Sequence, residues 1–265
     1  MKNNKEIVIS NLSKAYDNNS KYLVKAIEDI TLQIKKREII CILGRSGCGK
    51  STFLNIIAGL IPQSSGSISI FGKDISNVKS DITYIQQTPY LLAYRNVFTN
   101  AALGLELRDE LNEENLIKLE KLLLFLGFEN FLSHFPAELS GGMRQRLALA
   151  RTLSIKVPII LCDEPFSSLD FDTRLEIENF FWNEIKQKER TSLFVTHHID
   201  SAVALADRIV IFTPRPAKVS QIISLKDEFK ALTPNQRRNS KEFSIYYSII
   251  WKALQNSVEN KNEQI

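Results

Sequence analysis

The sequence has few cysteines, no long apolar run and no large excess of either charge. Its three cysteines, Cys41, Cys48 and Cys162, lack the spacing of a disulfide scaffold or a zinc site. Lysine plus arginine number 34 against 30 for aspartate plus glutamate, a balance too even to indicate nucleic acid as a partner. No apolar run approaches the roughly 18 residues that span a bilayer, and the first residues, M-K-N-N-K-E-I, do not resemble a signal peptide. We therefore expect a cytoplasmic protein whose role at a membrane would require a partner.

A glycine-rich loop joins a predicted buried strand to a predicted helix within residues 39–60. The apolar run Ile39–Leu43 ends at Gly44, and apolar residues recur at helical spacing after Ser51. The loop fits G-x-x-x-x-G-K-[ST], in which backbone N–H groups and the helix N-terminus bind phosphate, the lysine reaches the β- and γ-phosphates and the hydroxyl ligates Mg²⁺. A glycine turn that binds nothing is the alternative. The predicted phosphate cradle consists of Gly44, Ser46, Gly47, Cys48, Gly49, Lys50, Ser51 and Thr52. Since the Cys48 thiol would lie beside phosphate, its alkylation is expected to block the nucleotide.

Two acids and a histidine follow two further predicted strands. Asp163 and Glu164 end the apolar stretch that begins at residue 157, so Asp163 is placed to hold Mg²⁺ and Glu164 to orient or deprotonate a water. Adjacent acids are weak evidence alone and strong evidence after a phosphate loop. His197 follows the predicted strand 192–196, at the sheet edge where ligands bind in open α/β folds, and could hydrogen-bond the γ-phosphate. A lone histidine here would more often be a cap or a surface residue.

A second helix terminus suited to an anion lies at L-S-G-G-M-R-Q-R, residues 139–146. Ser140 is placed as the N-cap, and Gly141 and Gly142 expose backbone N–H groups. Within one chain, Ser140 could equally serve only as the N-cap of its own helix, with no anion bound there. Before it, the leucines of segment 113–126 recur on one helical face, which indicates a helical insertion.

In their order, these motifs resemble the ATP-binding subunit of an ABC transporter. G-R-S-G-C-G-K-S matches the family's Walker A motif, L-S-G-G-M-R-Q its signature, I-I-L-C-D-E its Walker B motif, S-L-D its D-loop and T-H its switch histidine. The resemblance implies that Tyr16 stacks on adenine, that Gln87 is the Q-loop glutamine facing Mg²⁺ and the membrane partner, and that Asp170 of the D-loop lies beside the nucleotide. A lone tyrosine would otherwise more often be a core or surface residue, and Gln86 stands where the family usually has an aromatic or aliphatic residue.

The resemblance also implies an assembly and a set of cofactors. Two copies would face head to tail, so that Ser140 and Gly142 of one close over the γ-phosphate held by Lys50 of the other. ATP and Mg²⁺ are the implied cofactors, with Ser51, Gln87 and Asp163 around the metal and Glu164, His197 and Gln87 as the catalytic residues. The implied partners are an integral membrane permease and, indirectly, a solute-binding protein, with no nucleic acid. The expected location is the cytoplasmic face of the cell membrane, as a peripheral subunit.

Longer stretches resemble one group within the family, the nitrate, taurine and aliphatic sulfonate importers. Residues 90–107, 163–170 and 195–218 carry this likeness, which predicts import of a small anionic solute. Ala93-Tyr94 stands where those proteins usually have Pro-Trp, His198 where Asp is commonest, and Arg37 where a turn glycine is usual. Importers of thiamine precursors share much of the pattern. A soluble ABC ATPase of the repair type would normally carry a long coiled coil between the Walker A motif and the signature, here residues 52–138. A translation-associated ABC protein would usually carry two cassettes in one chain.

The sequence thus predicts an α/β protein with a RecA-like P-loop NTPase core, an antiparallel β subdomain and an α-helical subdomain. The ATPase domain is predicted to span 1–225, with the helical subdomain at about 90–155, and a C-terminal helical extension to span 226–265. Within that extension, apolar residues at 243–254 predict a helix packed on the core, in preference to a regulatory element, ended by the polar run that begins at Asn256.

Overall fold

The computed structural model describes residues 5–17 and 23–262, and in these ranges strands and helices alternate along the chain. The strands are β1 Lys5–Asp17, β2 Leu23–Lys35, β3 Ile39–Leu43, β4 Ser65–Ile70, β5 Lys73–Asp74, β6 Ile82–Ile85, β7 Ile159–Asp163, β8 Thr191–Thr196, β9 Arg208–Phe212 and β10 Val219–Ser224. The α-helices are α1 Lys50–Ile57, α2 Val97–Glu106, α3 Glu113–Phe125, α4 Gly141–Leu153, α5 Phe171–Gln187, α6 Ile199–Leu205, α7 Asp227–Lys230, α8 Pro234–Arg238 and α9 Lys241–Asn262.

The central sheet has six strands in the order β10-β9-β3-β8-β7-β6. Strands β6, β7, β8, β3 and β9 pair in parallel, and β10 joins the edge antiparallel to β9. Every residue of β3, β7 and β8 is buried, as parallel strands covered on both faces require. After β3 the chain crosses to β6 at the far edge, so β3 ends near a change of winding direction, where open α/β sheets bind ligands.

The two faces of this sheet contact different layers. In β3, Ile40 and Ile42 pack with α1 and the antiparallel sheet, whereas Cys41 and Leu43 pack with the helices of the opposite layer. The alternation follows from the two-residue period of a strand. Strand β3 therefore lies at the centre of both apolar clusters, and the loop after Leu43 starts from a fixed position.

A four-stranded antiparallel sheet, in the order β2-β1-β4-β5, covers the α1 side. The apolar residues at 7–9 mark only the first part of β1. Strand β1 extends to Asp17, and Tyr16 pairs with Val24 of β2. Register shifts after Ile9 displace the buried positions from strict alternation, and for that reason the period-two pattern ended early.

Helices α2, α3 and α4 form the predicted helical insertion. Asn96 caps α2 by accepting from the Thr99 N–H at 2.9 Å, and Asn112 caps α3 by accepting from the Asn115 N–H at 2.9 Å. The predicted leucine face of α3 is confirmed, because Leu119 and Leu123 are fully buried. Both belong to the same apolar cluster as the helical face of the central sheet.

Helices α7 to α9 pack on the core, as the sequence predicted for the tail. Tyr246, Ile250 and Ala253 of α9 are buried in the larger apolar cluster. The predicted end of this helix near Asn256 was wrong, since α9 runs to Asn262. Glutamate and lysine, which the polar run contains, are good helix formers, so polar composition alone does not end a helix. The boundary at residue 225 stays a prediction. None of the described helices meets the length and hydropathy needed to cross a bilayer.

Candidate nucleotide site

The phosphate loop turns from β3 into α1 through two glycines in the left-handed region. Gly47 has φ +73° and Gly49 φ +124°, conformations that side chains disfavour. A Cβ at Gly49 would lie 2.7 Å from the Ala26 carbonyl oxygen, so the backbone there packs directly against β2. Gly49 is also the N-cap of α1 and brings no capping side chain to it. The first N–H groups of α1 are thus available to an anion.

Lys50 is held inside the curve of this loop. Its side chain is buried, and its Nζ donates to the carbonyl oxygens of Gly44 at 2.7 Å and Arg45 at 3.0 Å. A cavity of about 180 Å³ opens beside it. The cavity is lined by Ala26, Gly47, Gly49, Lys50, Ser51, Thr52 and Arg215. The structure therefore brings five of the eight predicted cradle residues to one cavity.

The Cys48 side chain faces away from that cavity. Only 2% of the residue is exposed, and it belongs to the apolar cluster that contains Phe53 and Phe212. Burial raises the pKa of its thiol, which lowers the reactive thiolate fraction. The expectation that alkylation of Cys48 blocks the nucleotide is not supported by this position, because only the backbone of Cys48 belongs to the loop surface.

Asp163, the last residue of β7, lies next to the start of α1. Its carboxylate lies near the Ser51 and Tyr84 side chains, and burial raises its pKa. Tyr84 is on the neighbouring strand β6, and burial together with the Asp163 charge raises the pKa of its hydroxyl. We did not single out Tyr84 from the sequence. The available signal was a tyrosine hydroxyl in the short strand that ends two residues before Gln87.

The oxygens of Ser51 and Asp163 suit Mg²⁺. This ion takes one or two protein oxygens and completes its octahedron with phosphate oxygens and water. Among the residues that the structure describes, no group of three or more His, Cys, Asp or Glu could hold a metal by itself. The donor set therefore fits an ion that arrives with a nucleotide.

Glu164 is fixed in an unusual backbone conformation one residue after β7. It has φ +52°, which costs about 1–2 kcal/mol for a residue with a side chain. Its N–H donates to the Val195 carbonyl oxygen at 2.9 Å, and the Thr196 hydroxyl donates to its Oε2 at 3.3 Å. The His197 Nδ1–H donates to its Oε1 at 2.8 Å, since an ionised carboxylate can only accept. Adjacent strands β7 and β8 thus bring two predicted catalytic residues into contact.

Other predicted residues lie at the margin of the cavity or outside it. The Tyr16 hydroxyl donates to Thr52 Oγ1 at 3.4 Å, which joins Tyr16 to the phosphate loop. Gln87 is exposed, two residues beyond β6. Ser140 caps α4, as predicted, by accepting from the Met143 N–H at 3.2 Å. Asp170 caps α5 in the same way through the Thr173 N–H at 3.0 Å.

The signature helix and the D-loop meet each other instead of the phosphate loop. A Cβ at Gly142 would lie 3.1 Å from the Ser168 carbonyl oxygen. Ser140 and Gly141 are exposed, and neither Ser140, Gly142 nor Asp170 lines the phosphate cavity. Within one chain, the two helix termini that suit an anion are therefore separate.

Comparison with known proteins supplies the family. The family described as "ABC transporter" matches residues 27–167, slightly more than half of the chain. This chain belongs to the ABC transporter family. A Bacillus subtilis ABC transporter ATP-binding protein, YtlC, is 40% identical over 89% of this chain and 90% of its own length. The chain is accordingly an ABC-type ATPase, the ATP-binding subunit of a transporter.

Further ABC relatives carry more specific names. A taurine import ATP-binding protein of Rhizobium johnstonii is 37% identical over 74% of this chain and 75% of its own length. A nitrate import ATP-binding protein of Synechococcus elongatus is 37% identical over 84% of this chain and 34% of its own length. An aliphatic sulfonates import ATP-binding protein of Bacillus cereus is 36% identical over 82% of this chain and 85% of its own length. The predicted resemblance to this group is confirmed.

A solved ABC structure confirms the fold class. The ATP-binding cassette MJ0796, described as dimeric in a post-hydrolysis state with ADP and Pi, has a TM-score of 0.76 and 29% sequence identity. The match covers 83% of this chain and 99% of that cassette.

Proposed function

We propose that this chain hydrolyses Mg-ATP as a head-to-tail dimer to energise the import of a small anionic solute through a membrane permease. The observation that carries the catalytic part is the 2.8 Å contact between Glu164 Oε1 and His197 Nδ1, beside the Asp163 carboxylate and the phosphate loop. Carboxylate, imidazole and phosphate cradle then meet at the carboxyl edge of one parallel sheet.

In the proposed chemistry, Glu164 accepts the proton of the attacking water. His197 and Thr196 hold the carboxylate, so that its orientation does not depend on the strained backbone alone. With Nδ1 donating to Glu164, the other ring nitrogen of His197 donates to the γ-phosphate when the ring carries both protons. Positioning and charge stabilisation supply most of the rate enhancement in phosphoryl transfer, so rigid donors are what the reaction needs.

Lys50 and the metal ligands neutralise the phosphates in this scheme. Lys50 would exchange its carbonyl partners for β- and γ-phosphate oxygens, which are stronger acceptors because they are charged. Ser51 and Asp163, joined by Gln87 as the sequence predicts, would hold Mg²⁺, which supplies charge neutralisation at the phosphates.

A second copy would complete the site. The N-terminus of α4 is capped and exposed but separate from the phosphate cavity, so Ser140 and Gly142 can reach a γ-phosphate only in another chain. In a head-to-tail pair, the α4 N-terminus of each copy meets the phosphate loop of the other, so the same contact forms twice. The dimeric description of MJ0796 supports this arrangement.

The permease would bind beside Gln87. Tyr90 and Tyr94 are 64% and 74% exposed, which is unusual for two large aromatic side chains on one loop. Arg151 of α4 donates to the carbonyl oxygens of Pro89 at 2.7 Å and Tyr90 at 3.0 Å. A permease segment docked on this loop would thus be connected to the helix that begins with the signature motif.

Import of an anion rests on the names of the relatives, which include taurine, nitrate and aliphatic sulfonate importers. The proposed location follows from the same relatives: the cytoplasmic face of the membrane, with a solute-binding protein delivering the solute to the permease.

Self-association tests the catalytic part. The Glu164→Gln variant should migrate as a dimer in size-exclusion chromatography at millimolar ATP and Mg²⁺ and as a monomer without them. The Glu164→Gln/Lys50→Ala double variant is the matched control and should remain monomeric. A Glu164→Gln protein that stays monomeric at saturating ATP would refute the shared site.

Uptake tests the substrate class. Cells that lack this chain should lose uptake of one labelled anion among taurine, nitrate and an alkane sulfonate, and the Tyr94→Asp variant should fail to restore it while keeping wild-type solution ATPase activity. Phe71→Asp, a change of an exposed aromatic residue on the antiparallel sheet, is the control. Unchanged uptake of all three anions would exclude the proposed solutes.

A further inference from the structure

The segment T-P-R-P-A-K, residues 213–218, connects β9 to β10 and is closed on itself. The Thr213 N–H donates to the Lys218 carbonyl oxygen at 3.0 Å, and the Lys218 N–H donates to Thr213 Oγ1 at 3.0 Å. The Thr213 hydroxyl donates in turn to the Pro216 carbonyl oxygen at 3.0 Å. One side chain thus fixes the shape of the connection.

The same connection is tied to β2 from both sides of Ala217. The Ala217 N–H donates to the Ala26 carbonyl oxygen at 2.9 Å, and the Glu28 N–H donates to the Ala217 carbonyl oxygen at 3.0 Å. The Lys218 ammonium pairs with the Glu28 carboxylate at 3.0 Å. The connection therefore has a defined position relative to the antiparallel sheet.

That position is against the phosphate loop. A Cβ at Gly49 would be 2.7 Å from the Ala26 carbonyl oxygen and 3.3 Å from Ala217 Cβ, so three backbone segments meet there. Arg215, two residues before Ala217, lines the cavity that Lys50, Ser51 and Thr52 also line. Its Nε donates to the Lys25 carbonyl oxygen at 3.3 Å, which orients the guanidinium at the cavity mouth.

We infer that Arg215 binds the nucleotide, through a phosphate on the adenosine side of the γ-phosphate. Tyr16, proposed to face adenine, pairs with Val24 of β2. Arg215 bonds to the carbonyl oxygen of the next residue, Lys25, and therefore lies toward the adenosine end of the cavity. A guanidinium stays charged at any physiological pH and matches phosphate with two parallel N–H donors. The phosphate that Arg215 contacts is then common to ATP and ADP. The γ-phosphate, which the signature motif of a second copy would contact, is present only in ATP.

This role rests on the proposed ATP site and separates Arg215 from the catalytic residues. Truncating Arg215 should weaken binding of both nucleotides and leave the chemical step intact, because the interaction is equal in ground and transition states. Glu164 and His197 contact the reacting end and should show the opposite pattern.

The test compares Arg215→Ala, Arg215→Lys and the control Lys73→Ala. Lys73 is exposed on β5, at the edge of the antiparallel sheet, and its replacement removes the same charge. We expect Arg215→Ala to raise the dissociation constants of ATP and ADP alike by about tenfold, the effect of one charge-assisted hydrogen bond. Arg215→Lys should fall between it and wild type, Lys73→Ala should match wild type, and kcat at saturating ATP should stay within about twofold for all three.

Titration calorimetry with ATP and ADP and steady-state ATPase assays give the readouts. Equal dissociation constants for Arg215→Ala and Lys73→Ala would overturn the assignment. A loss confined to ATP, or a fall in kcat without a change in affinity, would overturn it too, since each would move Arg215 to the γ-phosphate or to catalysis. A wild-type protein that bound neither nucleotide would refute the ATP site itself.

Discussion

The phosphate loop and the C-terminal segment each bury a cation, and they hold it in opposite ways. Lys50 Nζ bonds to two carbonyls of its own loop and faces a cavity. Arg237 of α8 is fully buried, donates to the carbonyl oxygens of Ala206 and Lys230 at 2.7 Å each, and lies over the rings of Trp182 and Phe229. The partners of Lys50 can be exchanged for phosphate oxygens, whereas those of Arg237 belong to three packed elements.

This difference separates function from stability. A site residue must retain binding capacity in the folded state, which leaves its interactions incomplete or strained, as at Glu164. A structural cation has its donors satisfied, because an unpaired buried charge is costly. Burial lowers the pKa of Arg237 to about 10, so its charge is still present at neutral pH. Variants in the two regions should therefore change different observables.

The largest expected effect is at Glu164. Glu164→Gln keeps one of the two oxygens that accept from His197 and Thr196. It removes the proton-accepting carboxylate, so kcat should fall about 10²–10⁴-fold. ATP affinity and the free energy of unfolding should match wild type. Single-turnover ATPase assays, calorimetry and urea unfolding provide the three measurements. Near-normal turnover would remove Glu164 from the chemical step.

At Lys50 the effect should appear in binding. Lys50→Met preserves the apolar stem and removes the charge, so ATP affinity should drop about a hundredfold, the equivalent of two charge-assisted hydrogen bonds. A fluorescent ATP analogue measures this loss. The free energy of unfolding should stay within about 1 kcal/mol of wild type, since water from the adjoining cavity can replace the ammonium at the carbonyl oxygens of Gly44 and Arg45. A large loss of stability with normal affinity would reverse the comparison.

At Arg237 the same substitution should affect stability instead. Arg237→Met leaves the buried carbonyl oxygens of Ala206 and Lys230 without donors and should cost about 2–4 kcal/mol of unfolding free energy. The matched control is Arg37→Met, which breaks the exposed pair with Glu189 and should cost less than about 1 kcal/mol. Urea unfolding separates the two variants. Below the unfolding transition, ATP affinity and kcat of Arg237→Met should equal wild type, and a loss of either would give Arg237 a functional role.

The smallest effect is expected on the outer face of α9. Trp251 is 50% exposed, whereas its neighbour Ile250 is fully buried. Trp251→Ala should change the unfolding free energy by about 1 kcal/mol or less, while Ile250→Ala should cost about 2–4 kcal/mol. Thermal unfolding of both variants tests the assignment of the two faces. A Trp251→Ala protein as unstable as Ile250→Ala would show that the outer face is covered in solution.

Features set by residues close together in sequence were predictable, and features set by contacts between distant residues were not. The phosphate loop was predictable because its strand, glycines, lysine and hydroxyl are contiguous, so local geometry sets their chemistry. The cap at Ser140 and the leucine face of α3 were predictable for the same reason. The strand limits of β1 were not, because bulges depend on the partner strands.

Residues distant in sequence were harder to place. Glu164 and His197 were each assigned to the carboxyl edge, but their 2.8 Å contact depends on β7 and β8 being neighbours. Tyr84 and Arg215 were missed, since neither forms a motif with its sequence neighbours. Tyr84 reaches Asp163 because β6 is next to β7, and Arg215 reaches the phosphate cavity because Ala217 pairs with β2.

By itself, the sequence determined the family, the α/β class, the phosphate-binding loop and the carboxylates that follow β7, because each is encoded in a short contiguous pattern with its own backbone chemistry. Only the tertiary structure decided which side chains share the cavity, that the Cys48 thiol faces the core, and that the signature helix lies apart from Lys50 in one chain. Those outcomes depend on strand order and layer packing, which bring together residues that no local pattern relates.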